Sequence, residues 1–268
     1  MGQHPRLEAI LTLKDQAKNG HIAVRRSDQE AAKSKMKAAF NEAEKARLEY
    51  LKYEMLYFRM AIFGSARLDK DTSEFQFIRD LSRALVEDMQ IDIVTGGGPG
   101  IMKAANRGLR DAELAALERG DEFISKNRGL PIELPWEEVP NQDLHFATRH
   151  LEFSTRLQQF IDMIDAAYNA PGGIGTLLEM SLLTQLRQVQ HLESSFPILA
   201  HPAWTPVIDA WNDTMYHQRE KNKLITTISA SDLNLIQISE DISEIVAAIR
   251  KRFDVFQSEI GQHVRIID

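Results

Sequence analysis

Three short segments rich in small residues carry the chemistry this sequence has to offer. They are Gly64-Ser65, Gly96-Gly97-Gly98-Pro99-Gly100 and Pro171-Gly172-Gly173-Ile174-Gly175-Thr176. Each follows a short apolar run and precedes a stretch with helical periodicity, so each reads as a turn from strand to helix. Glycine has no Cβ, which lets the backbone come close to a ligand. A helix that starts beyond such a turn offers unpaired N–H groups and a partial positive charge, both suited to phosphate. Two such loops on one sheet edge could hold a phosphate and the sugar beside it. The plain alternative is a turn that only redirects the chain. A second loop of the same kind in the same context favours the anion site. The binding candidates are Ser65, Gly97, Gly98, Gly100, Gly172, Gly173, Gly175 and Thr176.

Glu179 is the most informative carboxylate. It stands three positions after Thr176, on the first turn of the helix expected to leave the third loop. There it would lie beside a bound sugar at the mouth of the pocket. It would equally complement the positive end of a helix dipole with no ligand present. Arg156 lies on the preceding helix, fifteen positions before Pro171. An arginine there could clamp phosphate, steady a carboxylate or simply be a solvated helix residue.

Other chemistries do not fit. The glycine runs form neither G-x-x-x-x-G-K-[ST] nor a full G-x-G-x-x-G, which disfavours an ATPase and a nicotinamide dehydrogenase. The eight histidines show no H-E-x-x-H or paired-ligand spacing, so no metal site is expected. There is no G-x-S-x-G nucleophile elbow. With no cysteine in the chain, a thiolate nucleophile, a disulfide and a cysteine-ligated metal are all excluded.

The elements that must position these groups follow from hydrophobic periodicity. Strands are expected at 60–63, 91–95, 166–170, 196–200 and 235–238, with further strand and loop around Phe123-Ile124 and Gly129 to Pro135. Helices are expected at 73–88, from Gly100 through Leu109, at 147–165, 177–192, 208–217 and 242–253. Strands alternating with helices imply right-handed crossovers and a Rossmann-like open parallel sheet, an α/β fold with helices on both faces. Ligands of such sheets bind beyond the carboxyl ends of the strands, where the three glycine turns would sit. Residues 1–59 form a separate N-terminal helical extension, and residues 60–268 the nucleotide-binding domain. Residues 1–28 have only weak periodicity. Residues 29–58 predict a long amphipathic helix, with Met36, Phe40, Ala43, Leu51, Met55 and Phe58 near one stripe that would dock on the main domain or on a partner subunit.

Of the 268 residues, 43% are hydrophobic and 26% charged, so a sizeable core can form and global disorder is excluded. The net charge is −7, unlike the basic face of a nucleic-acid binder. Residues 1–59 hold 12 Lys/Arg against 8 Asp/Glu, a mild excess that reads as a solvated helical surface. No apolar run is long enough to span a membrane, and the start, MGQHPRLEAILTLKDQ, lacks the core of a signal peptide. The cytoplasm is the expected location.

Pro171-Gly172-Gly173-Ile174-Gly175-Thr176-Leu177-Leu178-Glu179 matches P-G-G-x-G-T-x-x-E throughout. Gly96-Gly97-Gly98-Pro99-Gly100-Ile101-Met102 matches G-G-G-x-x-G-[IL]-M and continues into Ala104-Ala105-Asn106-Arg107-Gly108. With Phe63-Gly64-Ser65-Ala66-Arg67 and Ile132-Glu133-Leu134-Pro135, this pattern resembles the bacterial members of the LOG family. These are the cytokinin-activating phosphoribohydrolases, long labelled "lysine decarboxylase-like". The likeness covers roughly residues 60–253. It implies a Rossmann-like fold and hydrolysis of a nucleoside 5′-monophosphate, AMP or an N6-modified AMP, to free base and ribose 5-phosphate. The family's working pair of arginine and glutamate falls on Arg156 and Glu179. One position departs: the family usually has Arg-Lys where this chain has Arg156-Leu157. No organic cofactor is implied. Decarboxylation would need pyridoxal phosphate on a lysine, and Lys103 reads as an ordinary helix residue. The family's habit of pairing through helices, with the apolar stripe, implies a homodimer or higher even oligomer. A non-catalytic nucleotide sensor or cofactor carrier of the same fold is the competing class.

Overall fold

A computed structural model describes residues 5–18, 25–54, 56–133 and 139–260. The chain divides into two compact units, one of residues 1–55 with 133–138 and the other of 56–132 with 139–268. In the first unit, α1 spans Pro5–Lys18 and α2 spans Arg26–Glu54. Helix α1 falls in the stretch whose periodicity is weak. Helix α2 is drawn from strong helix formers and carries ion pairs one turn apart, such as Glu44 with Arg47 at 2.7 Å. Met36 and Phe40 of the expected stripe are each 69% exposed. Met55 lies outside the described residues, as do Leu134, Pro135 and the end of the 60–268 segment. Phe58 is not part of α2: it is buried in the second unit, edge-on to Phe253 and Phe256. Among the described residues, no helix is long and apolar enough to cross a membrane.

The second unit is a seven-stranded parallel sheet covered by helices, a Rossmann-like α/β fold. Its strands are β1 (Arg59–Phe63), β2 (Asp92–Thr95), β3 (Asn127–Gly129), β4 (Phe146–Ala147), β5 (Ala166–Asn169), β6 (Ile198–Ala200) and β7 (Gln237–Ile238). Their order is β4-β3-β2-β1-β5-β6-β7. The connecting helices are α3 (Ser73–Met89), α4 (Ile101–Arg119), α5 (Phe153–Met163), α6 (Ile174–Gln188), α7 (Thr205–Asn212), α8 (Gln218–Lys221) and α9 (Ile242–Ile260). Side chains alternate across a strand, so β1 feeds both layers. Met60 and Ile62 join Ile78 and Leu85 of α3, Leu109 of α4 and Ile249 of α9. Ala61 and Phe63 join Phe160 of α5 and Leu183 of α6 on the other face. A strand buried on both faces has to be apolar throughout, which is why 60–63 reads as a continuous apolar run.

Several boundaries differ from the periodicity. Residues 147–152, expected to begin the helix of 147–165, are not part of α5, which starts at Phe153. Phe146–Ala147 form β4, and the Thr148 and His150 N–H groups donate to Gly129 and Pro131 carbonyls at 2.9 Å. Ladder pairing at the sheet edge outweighs the local helix preference there. Phe123-Ile124 is not a strand; the strand is Asn127–Gly129, and Ile124 is 61% exposed. Helix α6 begins at Ile174, a full turn before residue 177.

The strand order reverses direction at β1, which has β2 on one side and β5 on the other. This is the switch point of the sheet, where connections leave in opposite directions and open a crevice. The three glycine turns follow β2, β1 and β5, three neighbouring strands, so sheet order alone brings them to one edge.

Candidate active site

The loop after β1 is tied to both of its neighbours. The Ser65 N–H donates to the Pro171 carbonyl at 3.0 Å, and the Ile101 N–H donates to the Ser65 carbonyl at 2.9 Å. Gly100 is what permits the second contact. Its φ is +64°, and a Cβ there would strike the Ser65 carbonyl oxygen and the Ala66 backbone. Backbone atoms cannot step aside as a flexible side chain can. Gly100→Ala should therefore cost at least about 2 kcal/mol, combining left-handed strain with the collision. Thermal unfolding should show it as a fall in Tm of about 4–8 °C. An unchanged Tm would mean that the two loops do not touch in this way.

Around these loops lies a cavity of about 500 Å³, inside the usual ~300–1,000 Å³ range of small-molecule sites. It is lined by Phe63 to Arg67, Gly96, Met102, Arg156, Gly173 to Thr176 and Glu179. Of the residues expected from the sequence, Ser65, Arg156, Gly173, Gly175, Thr176 and Glu179 meet here. Gly97, Gly98, Gly100 and Gly172 do not line it. The Gly97 and Gly98 carbonyls accept from the Asn141 side chain at 3.1 and 3.0 Å, and the Gly97 N–H donates to Thr95 Oγ1 at 3.0 Å. Gly172 packs against the Thr176 side chain. These glycines shape the loops, and Gly96 is the residue of the second loop that borders the cavity. Asn141 escaped sequence reasoning because nothing local marks it; it acts on a loop 43 and 44 positions away. Arg67 is visible directly after the first turn, but its type alone assigns it no task.

The third loop delivers the amino end of α6. Its N-cap is Gly173, with no side-chain cap. The N–H groups of a first helical turn have no intrahelical acceptor, so those of Ile174, Gly175 and Thr176 are open to a ligand.

Glu179 sits on the second turn of α6 and is 7% exposed. Dipole effects fade within the first turn, which weakens the reading of Glu179 as a mere dipole partner. Burial pushes its carboxyl up to about 7, against the opposing pull of the Arg156 charge. A carboxylate stabilised by a helix end would move the other way. Arg156 comes from α5 and is itself buried. Its Nε donates to the Leu130 carbonyl at 2.7 Å and its Nη1 to Glu179 Oε1 at 3.1 Å. The guanidinium lies over the Phe160 ring at 5.0 Å. Gly96 makes room for it, since a Cβ there would stand 2.6 Å from Arg156 Nη2. Arg156 is thus anchored on three sides and aimed at one oxygen of Glu179. The site is a cavity with open N–H donors at one wall and a carboxyl group poised near neutrality at another. That set can grip an anion and exchange a proton beside it. Among the described residues, no three His, Asp or Glu side chains are grouped to hold a metal ion.

No protein-family model matches the chain. No curated protein matches it either. Solved structures share the fold at low identity. The molybdenum cofactor carrier protein of Chlamydomonas reinhardtii is 12% identical, over 74% of this chain and 99% of that one, with a TM-score of 0.50. The molybdenum cofactor binding protein of the phototrophic bacterium Rippkaea orientalis is 15% identical, over 73% and 96%, with a TM-score of 0.47. A structural-genomics target is 17% identical, over 72% and 99%, with a TM-score of 0.48. At these identities the likeness is one of fold.

Proposed function

We propose that the protein hydrolyses the N-glycosidic bond of a nucleoside 5′-monophosphate, AMP or an N6-modified AMP, to free base and ribose 5-phosphate. The observation that carries this reading is the Arg156–Glu179 pair in the cavity wall, with a buried carboxyl near neutrality beside open N–H groups. The phosphate rests at the amino end of α6, against Gly173, Gly175 and Thr176, with Ser65 opposite. The sugar then lies towards Glu179. As the bond from C1′ to the base nitrogen breaks, positive charge grows on the ribose ring. The Glu179 carboxylate opposes that charge and takes a proton from the attacking water, whose oxygen bonds to C1′. The base leaves with the electron pair of the broken bond and takes the proton that Glu179 accepted from the water, which restores the carboxylate. Arg156 holds Glu179 in place and limits how far burial raises its carboxyl.

A non-catalytic carrier or sensor is the second reading, favoured by neighbours of this fold whose names describe cofactor carriage and binding. Such a protein needs the phosphate cradle but no carboxyl poised near 7. Incubation with a panel of nucleoside 5′-monophosphates, followed by chromatography for free base, separates the two. Release of base from AMP or its N6-modified forms is the expected result. Tight binding of the nucleotides with no base released from any of them would leave the carrier standing.

A further inference from the structure

Two cations line the cavity, Arg67 and Arg156, and the structure treats them differently. Arg156 is buried, bonded through Nε to Leu130 and through Nη1 to Glu179, and stacked on Phe160. Swinging it onto a phosphate would strip Glu179 of its partner in a buried setting. Arg67 is exposed, and among the described residues its guanidinium pairs with no carboxylate. Its backbone is nevertheless held: the Arg67 N–H donates to Ser65 Oγ at 3.0 Å. That bond leaves the Ser65 hydroxyl proton free to donate. The loop carrying Ser65 and Arg67 follows β1, the central strand of the three, and Ser65 N–H is bonded to Pro171 at the start of the third loop. Arg67 therefore borders the same cavity as the open amino end of α6.

We infer that Arg67 is the residue that reads the ligand's 5′-phosphate, while Arg156 is committed to Glu179. The inference rests on the proposed nucleotide site and deepens it, by assigning discrimination between nucleoside 5′-monophosphates and nucleosides to Arg67. A guanidinium offers planar paired donors to phosphate oxygens, and phosphate is the one group that AMP has and adenosine lacks. Because Arg67 is solvent-exposed, its contribution is screened and should lie at the low end for a charged hydrogen bond.

The test compares AMP and adenosine on the intact protein, the Arg67→Ala and Arg67→Lys variants, and Arg156→Ala. Calorimetry measures binding, and base release measures turnover. Arg67→Ala should weaken AMP binding about tenfold and leave adenosine binding unchanged. Arg67→Lys should recover part of the loss, since it restores the charge without the paired donors. Arg156→Ala should keep the AMP-to-adenosine binding ratio of the parent. An unchanged ratio in Arg67→Ala, or a collapsed ratio in Arg156→Ala, overturns the inference. If the parent binds AMP over adenosine but releases no base, the hydrolase reading fails while the binding ratios still decide the role of Arg67. If the parent does not prefer AMP to adenosine, both fall.

Discussion

Replacing Glu179 with glutamine should reduce base release from AMP by about a hundred- to ten-thousandfold while leaving AMP binding nearly intact. Glutamine keeps the volume of the side chain, and its amide oxygen can still accept from Arg156. What disappears is the negative charge that opposes the growing cation and the base that takes the water's proton. The pH profile gives a second reading. The parent should lose activity as pH falls through about 7, because Glu179 then gains a proton. The variant's residual rate should lack that limb. The linkage to stability runs in the opposite sense. A carboxyl raised from 4.5 to about 7 binds its proton more tightly in the folded state, so the parent loses stability as pH rises through that window. Glutamine has no such slope. Its Tm should match the parent's below about pH 4.5, gain on it as pH rises to about 7, and keep that margin at higher pH. A variant that releases base at the parental rate would remove Glu179 from the mechanism and favour the carrier.

Arg156→Ala should slow turnover about a hundredfold at pH 7 and move the acid limb to higher pH. Arg156 supplies both opposing influences on the Glu179 carboxyl, its charge and its hydrogen bond. With them gone, burial acts alone and drives the carboxyl further above 7. At neutral pH Glu179 would then be protonated and unable to act as a base. Part of the lost rate should return in alkaline buffer. The variant should also lose about 2–3 kcal/mol of stability, through the Leu130 hydrogen bond and the packing on Phe160. A purely architectural arginine would produce the stability loss with no displacement of the pH profile. A profile with its limb in the parental position would therefore show that Arg156 does not govern Glu179.

The sequence by itself determined the class of fold and the identity of the loops. Apolar runs such as Met60 to Phe63, ending at glycine and followed by a helical pattern, specify strand, turn and helix through local conformational preference. Repeated along the chain, they leave a doubly covered parallel sheet as the arrangement that buries both faces of each strand. Glu179 was legible as a candidate from its residue type and its place just after a glycine turn, and Arg156, fifteen positions before Pro171, from the resemblance that pairs it with that glutamate. What only the tertiary structure decided is where each group sits and what it touches. Gly97, Gly98 and Gly100 look like ligand contacts in the sequence, yet Asn141 takes the carbonyls of the first two and the Ser65–Ala66 backbone fills the space beside the third. Asn141 and Ser65 reach them across dozens of residues, and no local pattern records such pairings. The helix boundary at Ile174 moved Glu179 to the second turn and into the interior, where burial sets its proton affinity. Arg156 is tied down by groups from the loop after β3 and from α6, while among the described residues the Arg67 guanidinium at the cavity wall pairs with no carboxylate. Burial and partnership are properties of the assembled chain, because they depend on which distant segments the sheet order brings together.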